Sequence, residues 1–262
     1  MNVLKKWFDS NFMQLNPDKA KCLLVTRSDN EPFEINYDNI VTLKNTEDVK
    51  LLGVWLEKKL NFHKHVSQLC KSVSKQLAVL QRIKHTVPMS TKLQLYHSHF
   101  RSHLNYCSLV WHFLKQADNI KLEKLNHRAL SFVFNDYRSS YEDILNRNNL
   151  LSLKEQRYMK IIEFTYKALN GLLPSLNNIF STKDCKYNFR DSHKLQLPRV
   201  NTTTYGINSF KYLGSKLWHL LPHEIKSSET FEIFKEALKP TILFFIFTHN
   251  YIILCYLISQ RK

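Results

Sequence analysis

Glycine is scarce in this chain: Gly53, Gly171, Gly206 and Gly214 are the only four among 262 residues. They are too scattered for a phosphate-binding glycine loop, and their rarity weighs against a Gly-rich β architecture. The five cysteines, Cys22, Cys70, Cys107, Cys185 and Cys255, are far apart and form no Cys-x-x-Cys. That excludes a zinc finger and a disulfide framework; free buried thiols in a reducing compartment are expected instead. No Asp-Asp pair and no Gly-x-Ser-x-Gly occurs. Glu47-Asp48 and Glu142-Asp143 are adjacent acids, but they read as turn and helix-cap residues, not as carboxylates holding two metal ions. Met1–Ser10 is amphipathic and lacks the long apolar core of a signal peptide. Read from its residues alone, the chain shows no catalytic site.

The most informative absence is of negative charge. From Lys58 to Ala117 there is no Asp or Glu, while the same stretch carries ten basic residues: Lys58, Lys59, Lys64, Lys71, Lys75, Arg82, Lys84, Lys92, Arg101 and Lys115. It also holds seven of the twelve histidines. His63-x-His65 and His97-x-His99-x-x-x-His103 have no carboxylate near them in sequence to complete a metal site, so no metal is assigned to them. Lys64, Lys71 and Lys75 follow helical spacing and share one face. The formal net charge of the whole chain is +16. Such a surface fits a polyanion: cationic side chains on nucleic-acid phosphates release counterions, and they position a duplex without reading its bases.

What is present predicts an α+β chain that is mostly α. The stretch Val49–His65 is the junction of its two parts. Residues 3–13 form an amphipathic helix with Val3, Leu4, Trp7, Phe8 and Phe12 on one side. Leu15-Asn16-Pro17-Asp18 ends it, Lys21–Thr26 reads as a strand, Asp29-Asn30-Glu31-Pro32 as a turn, and Ile35–Tyr37 with Ile40–Leu43 as a hairpin around Asp38-Asn39. Val49–Leu56 is the next strand, interrupted by Gly53 as a bulge or close approach. The helix is expected to pack on this small antiparallel sheet.

After Leu60 the pattern becomes helical. Val66, Leu69, Cys70, Val73, Leu77, Leu80 and Ile83 make one apolar stripe. Pro88 stops that helix and Ser90 caps the next, which carries Leu93, Tyr96, Phe100 and Leu104. Further helices are expected over 118–134, from Ser140, from the capping box Ser152–Glu155 to Asn170 with Gly171 beyond it, over 209–217 and over 230–238, where Pro240 closes the last. Residues 181–206 lose the period and read as extended. Trp111 and Trp218 read as core. The organisation expected is 1–60, 61–150, 151–239 and a hydrophobic tail, 240–262. Residues 241–259 are about long enough to span a bilayer. Eleven Leu, Ile and Phe give about −5 kcal/mol for insertion, and His249 and Asn250 take back about 2 kcal/mol each. Membrane anchoring is the lesser alternative.

Five segments, in order, resemble the reverse transcriptases of non-LTR (LINE-type, jockey-like) retrotransposons. They are Trp7-Phe8-x3-Phe12-x2-Leu15-Asn16-Pro17-Asp18-Lys19; Lys50-Leu51-Leu52-Gly53-Val54-x-Leu56-x3-Leu60-x-Phe62-x2-His65-Val66; Tyr96-x-Ser98 through Leu104-Asn105-Tyr106-Cys107-x2-Val110-Trp111; Leu125-Asn126-His127-Arg128-Ala129-Leu130; and Leu217-Trp218-His219-Leu220-Leu221-Pro222-x2-Ile225-Lys226. Glu57 and Ala20 depart from the usual pattern. The resemblance covers 1–239.

It implies the end of a palm followed by a thumb and a C-terminal helical region of an RNA-directed DNA polymerase. The catalytic palm aspartates and their Mg²⁺ would belong to an N-terminal polymerase part preceding residue 1, so no cofactor is expected in this chain and polymerisation by it alone is not. Leu51, Leu52, Gly53, Val54 and Trp55 would grip a primer end. Lys58, Lys59, Lys64, Lys71, Lys75, Arg82 and Lys84 would lie along an RNA–DNA hybrid or RNA template–primer duplex, held through its backbone. The implied compartment is the nucleus or the cytoplasm, with a membrane through residues 241–259 as the alternative.

Overall fold

Two β-hairpins and ten α-helices carry the described part of the chain. The computed structural model describes residues 2–14, 16, 19–26, 34–37, 41–176, 178–181 and 195–249. The fold is α+β and mostly α, as the sequence predicts. The chain packs as two compact units: residues 1–79 with 114–122, and residues 80–113 with 123–262.

The first unit contains α1 (Asn2–Ser10), the antiparallel pair β1 (Glu34–Tyr37) and β2 (Val41–Lys44), the antiparallel pair β3 (Asp48–Leu51) and β4 (Val54–Glu57), and most of α2 (His63–Arg82). The first turn and a half of α5 (Gln116–Phe134) completes it. The β1–β2 pair confirms the expected hairpin; its turn, Asp38-Asn39, lies outside the described residues, as do Asp29-Asn30-Glu31-Pro32 and most of Leu15–Asp18.

Three expectations are corrected here. Val49–Leu56 is not one strand but a second hairpin, with Leu51 opposite Val54 and a two-residue turn, Leu52-Gly53. Both turn residues have positive φ, 45° and 86°. Such a turn matches the right-handed twist of a strand pair and usually takes Asn-Gly or Asp-Gly, so Leu in its first position hides the signal. Lys21–Thr26 forms no strand among the described residues: Cys22 makes one isolated bridge with Asn45, and the Asn45 side chain occupies the Leu24 amide at 3.0 Å. A side-chain oxygen on the backbone N–H takes the place of a ladder bond. Finally, Val3 and Trp7 on α1 and Phe12 just beyond it are exposed, so these side chains are not packed on a sheet.

The second unit holds a helical run made of α3 (Met89–Leu95), a π-helical segment Tyr96–Arg101 and α4 (Ser102–Asn105), then the rest of α5, α6 (Tyr141–Arg147), α7 (Leu153–Leu169), α8 (Phe210–Leu220), α9 (His223–Lys226) and α10 (Phe231–His249). Pro88, not Ser90, is the N-cap of α3; its extended backbone turns the chain into the helix, and Ser90 falls in the first turn. The helix start at Ser140 and the capping box of Ser152 with Glu155 form as the sequence predicts, Ser209 caps α8, and Gly171 takes φ +68° just beyond α7. Ile161, Tyr166, Leu217, Trp218, Phe234 and Leu238 centre one core between α7, α8 and α10. Trp111 is wholly buried and its indole N–H donates to the Tyr106 carbonyl at 3.1 Å.

Pro240 does not close the last helix. α10 continues through it to His249, and the Thr241 hydroxyl donates to the Ala237 carbonyl at 2.8 Å in the turn that proline interrupts. Proline removes its own N–H donor to the Glu236 carbonyl, and the Thr241 hydroxyl adds a bond to the next carbonyl in the same turn. Residues 203–207, expected as extended, form a short π-helical turn. Residues 182–194 and 250–262 lie outside the described residues, and with them half of the region expected to be extended and the second half of the hydrophobic tail. Among the described residues no helix is long and apolar enough to cross a membrane.

Candidate nucleic-acid interface

In the first unit, α2 buries Val66, Val73 and Leu77, and turns Lys71 and Lys75 outward on another face. The helix starts where two side-chain acceptors meet its first amides: Asn61 Oδ1 takes the His63 N–H at 3.1 Å and Glu57 Oε2 the Lys64 N–H at 3.0 Å. A carboxylate there also suits the positive end of the helix dipole. Beside Lys71 and Lys75 lies an open groove, walled by Ser67, Ser74, Lys71 and Lys75 from α2 and by Lys121 from α5. Among the described residues no ion pair engages Lys71 or Lys75.

Lys121 is held in place by Asp118, the first acid after the acid-free stretch. The Asp118 carboxylate is buried and accepts from Lys121 Nζ at 3.2 Å and from His63 Nδ1 at 3.0 Å. Burial would raise this carboxyl; the hydrogen bonds from His63 and Lys121 outweigh it and hold it below the usual carboxylate value. Burial raises the Cys70 thiol on the groove wall, which keeps it protonated. The described thiols are not buried as expected: Cys22 and Cys70 are half-buried and Cys107 is exposed.

The other cations singled out by sequence have different situations. In the β3–β4 register Asp48 stands directly opposite Glu57, a repulsive pair. Lys64 resolves it: its Nζ lies 2.5 Å from Asp48, its backbone N–H binds Glu57, and its ammonium sits 4.3 Å over the Trp55 ring. Lys58 pairs with Glu47 at 2.5 Å. Lys64 and Lys58 are therefore committed to the hairpin and are not part of an uncompensated ridge. Lys59 is exposed in the turn after β4. Arg82 and Lys84 belong to the second unit, where Lys84 lies 5.4 Å over the Tyr137 ring and Arg82 is exposed.

Of the hairpin residues, Val54 is buried, Trp55 is half-buried under Lys64, and Leu51 and Leu52 are 56% and 81% exposed at the tip. Lys121 was missed by sequence reading because it follows the acid-free stretch and only the packing of α5 brings it to α2. No protein-family model matches the chain, and no curated protein and no solved structure matches it either.

Proposed function

We propose that the chain is the region following the catalytic aspartates of a non-LTR-type reverse transcriptase, and that it holds a template–primer duplex, RNA–DNA hybrid or RNA, through the phosphate backbone. The observation that carries this reading is the groove whose wall places Lys71, Lys75 and Lys121 together, with Lys71 and Lys75 outside any described ion pair. Lysine amines on a groove wall contact phosphate oxygens and cannot discriminate bases, so binding is independent of sequence. The order of five family-like segments supports the same reading. The chain brings no metal of its own to it, and polymerisation requires the N-terminal polymerase part as partner. The compartment that fits is the nucleus or the cytoplasm.

The test is fluorescence anisotropy with a labelled RNA–DNA hybrid across a salt series. Three lysine contacts give a slope of log K against log salt of about −2 to −3. K71E/K75E weakens binding more than tenfold and flattens that slope; unchanged binding rules the groove out. Primer extension with Mg²⁺ separates a binding module from a polymerase: the pure chain incorporates nothing, and robust synthesis would overturn the assignment.

A further inference from the structure

The second unit contains a pair of cations organised in another way. Arg101, at the end of the π-helical segment, donates through Nε to Gln156 Oε1 of α7 at 2.9 Å. One turn further along each helix, Lys160 of α7 donates through Nζ to the Asn105 carbonyl at 2.9 Å and to Ser108 Oγ at 3.5 Å. These are two rungs between the same two elements, i and i+4 on both sides. Each rung joins a cation to a neutral acceptor.

The acceptors are themselves fixed. Gln156 is buried and its amide donates to the Leu151 carbonyl at 2.7 Å. Arg101 Nη1 also faces His97 Nδ1 at 3.3 Å. Guanidinium carries five N–H donors and ammonium three, so the named contacts leave donors on both groups. Burial pulls the Lys160 ammonium below its usual value; Glu163 opposes this and Arg101 adds to it. Glu163, the acid whose field reaches Lys160, is itself flanked by Lys167 and Lys235. The two cations are near enough for the Arg101 charge to act on Lys160, and neutral rung partners do not offset that repulsion. An anion seated across both does. Tyr106 follows Asn105 directly and is half exposed to solvent; its phenol meets Cys107, whose field also reaches Lys160.

We propose that Arg101 and Lys160 form a phosphate site for single-stranded nucleic acid, with the Tyr106 ring beside it to stack an unpaired base. Arg and Lys side by side suit phosphate, the guanidinium as a fork and the ammonium as a point charge. An exposed ring next to them distinguishes a single strand, whose bases are free to stack, from a duplex. Its residues all belong to the second unit, and it does not depend on the α2 groove.

The test is anisotropy of a short labelled oligo(dT) with the full chain. R101Q and K160Q each weaken binding by about five- to tenfold, as expected for a lost charge-assisted contact, and the double variant weakens it further. H97E sets a carboxylate against the Arg101 guanidinium, which His97 faces at 3.3 Å, and so competes with a phosphate for it; it lowers affinity while the thermal midpoint read by circular dichroism does not fall, so a folding failure cannot imitate the result. Y106A weakens oligo(dT) and leaves competition by inorganic pyrophosphate unchanged. Unaltered oligo(dT) binding in R101Q, K160Q and H97E would overturn the site. Full displacement by pyrophosphate combined with an indifferent Y106A would overturn the strand assignment in favour of a free phosphate ligand. K71E/K75E retains the residual, Arg101-dependent binding whether or not the groove binds duplex.

Discussion

The two units handle charge and apolar surface in opposite ways. In the first, Lys58 and Lys64 are neutralised by carboxylates that stabilise a hairpin, and Val3, Trp7, Phe12, Leu51 and Leu52 face outward. In the second, Trp111, Tyr166, Phe234 and Leu238 are enclosed, and Arg101 and Lys160 are held by uncharged acceptors. Its buried polar groups form a continuous chain: Tyr96 O–H donates to Asn126 Oδ1 at 2.8 Å, Asn126 Nδ2 to Tyr141 Oη at 2.7 Å, and Tyr141 O–H to Glu123 Oε2 at 2.6 Å. Glu123 also accepts the first amides of α7, from Leu153 at 3.2 Å and Lys154 at 2.9 Å. Burial pushes the Tyr96 phenol up to about 12, so it stays a donor throughout the ordinary pH range. A buried hydrogen-bonded chain helps fix one packing in the second unit, whereas the hairpin of the first unit leans on individual ion pairs.

That contrast can be broken first where it is strongest. Phe234→Ala empties a fully enclosed site stacked on Tyr166 at 4.2 Å between ring centres. It should destabilise the second unit by about 3–5 kcal/mol in urea unfolding followed by circular dichroism. A loss below 1 kcal/mol would mean the core is no deeper than the first unit's. Glu123→Gln removes the carboxylate at the end of the buried polar chain and at the start of α7. The expected cost is about 1–3 kcal/mol, with faster amide exchange at Leu153 and Lys154 as its local sign.

The next test belongs to the first unit and reads acid. Asp118 has a depressed folded pKa, so its stabilisation is present above the ordinary carboxylate value near 3.8 and is lost as pH falls through the lower, folded value. Asp118→Asn should flatten that acid limb and release Lys121 from its place in the groove; an acid limb of unchanged steepness would count against the His63–Asp118–Lys121 cluster. The smallest effect has the opposite sign. Leu52→Asn relieves a left-handed conformation that costs a non-glycine residue on the order of 1 kcal/mol, and should raise stability by a few tenths to 1 kcal/mol.

Local signals were legible in the sequence. Ser140, Ser152 with Glu155, Gly171 and Ser209 act at the positions where a cap acts, because capping is decided within four residues. The α2 stripe was legible for the same reason. The Leu52-Gly53 turn was not, since leucine carries no preference for positive φ and a dense apolar run imitates a buried strand. Pro240 misled because a breaker rule takes no account of Thr241 behind it. Of the candidate groove, Lys71 and Lys75 were readable from spacing. Lys64 was assigned to the same ridge because its ties to Asp48, Glu57 and Trp55 exist only once β3 and β4 pair. Tyr141 and Glu123 drew no attention, because the polar chain they join is assembled from four separate elements.

Asp118 also has a consequence for how the chain is made. The first unit is interleaved: residues 80–113, which belong to the second, emerge from a ribosome before the segment 114–122 that supplies the carboxyl anchoring His63. Vectorial synthesis therefore delivers α2 long before its partner, and the first unit reaches its final form only after the second has begun. Translation paused or cut after Val79 would yield two hairpins and most of a cationic helix without the anchor that sets the third lysine in the groove.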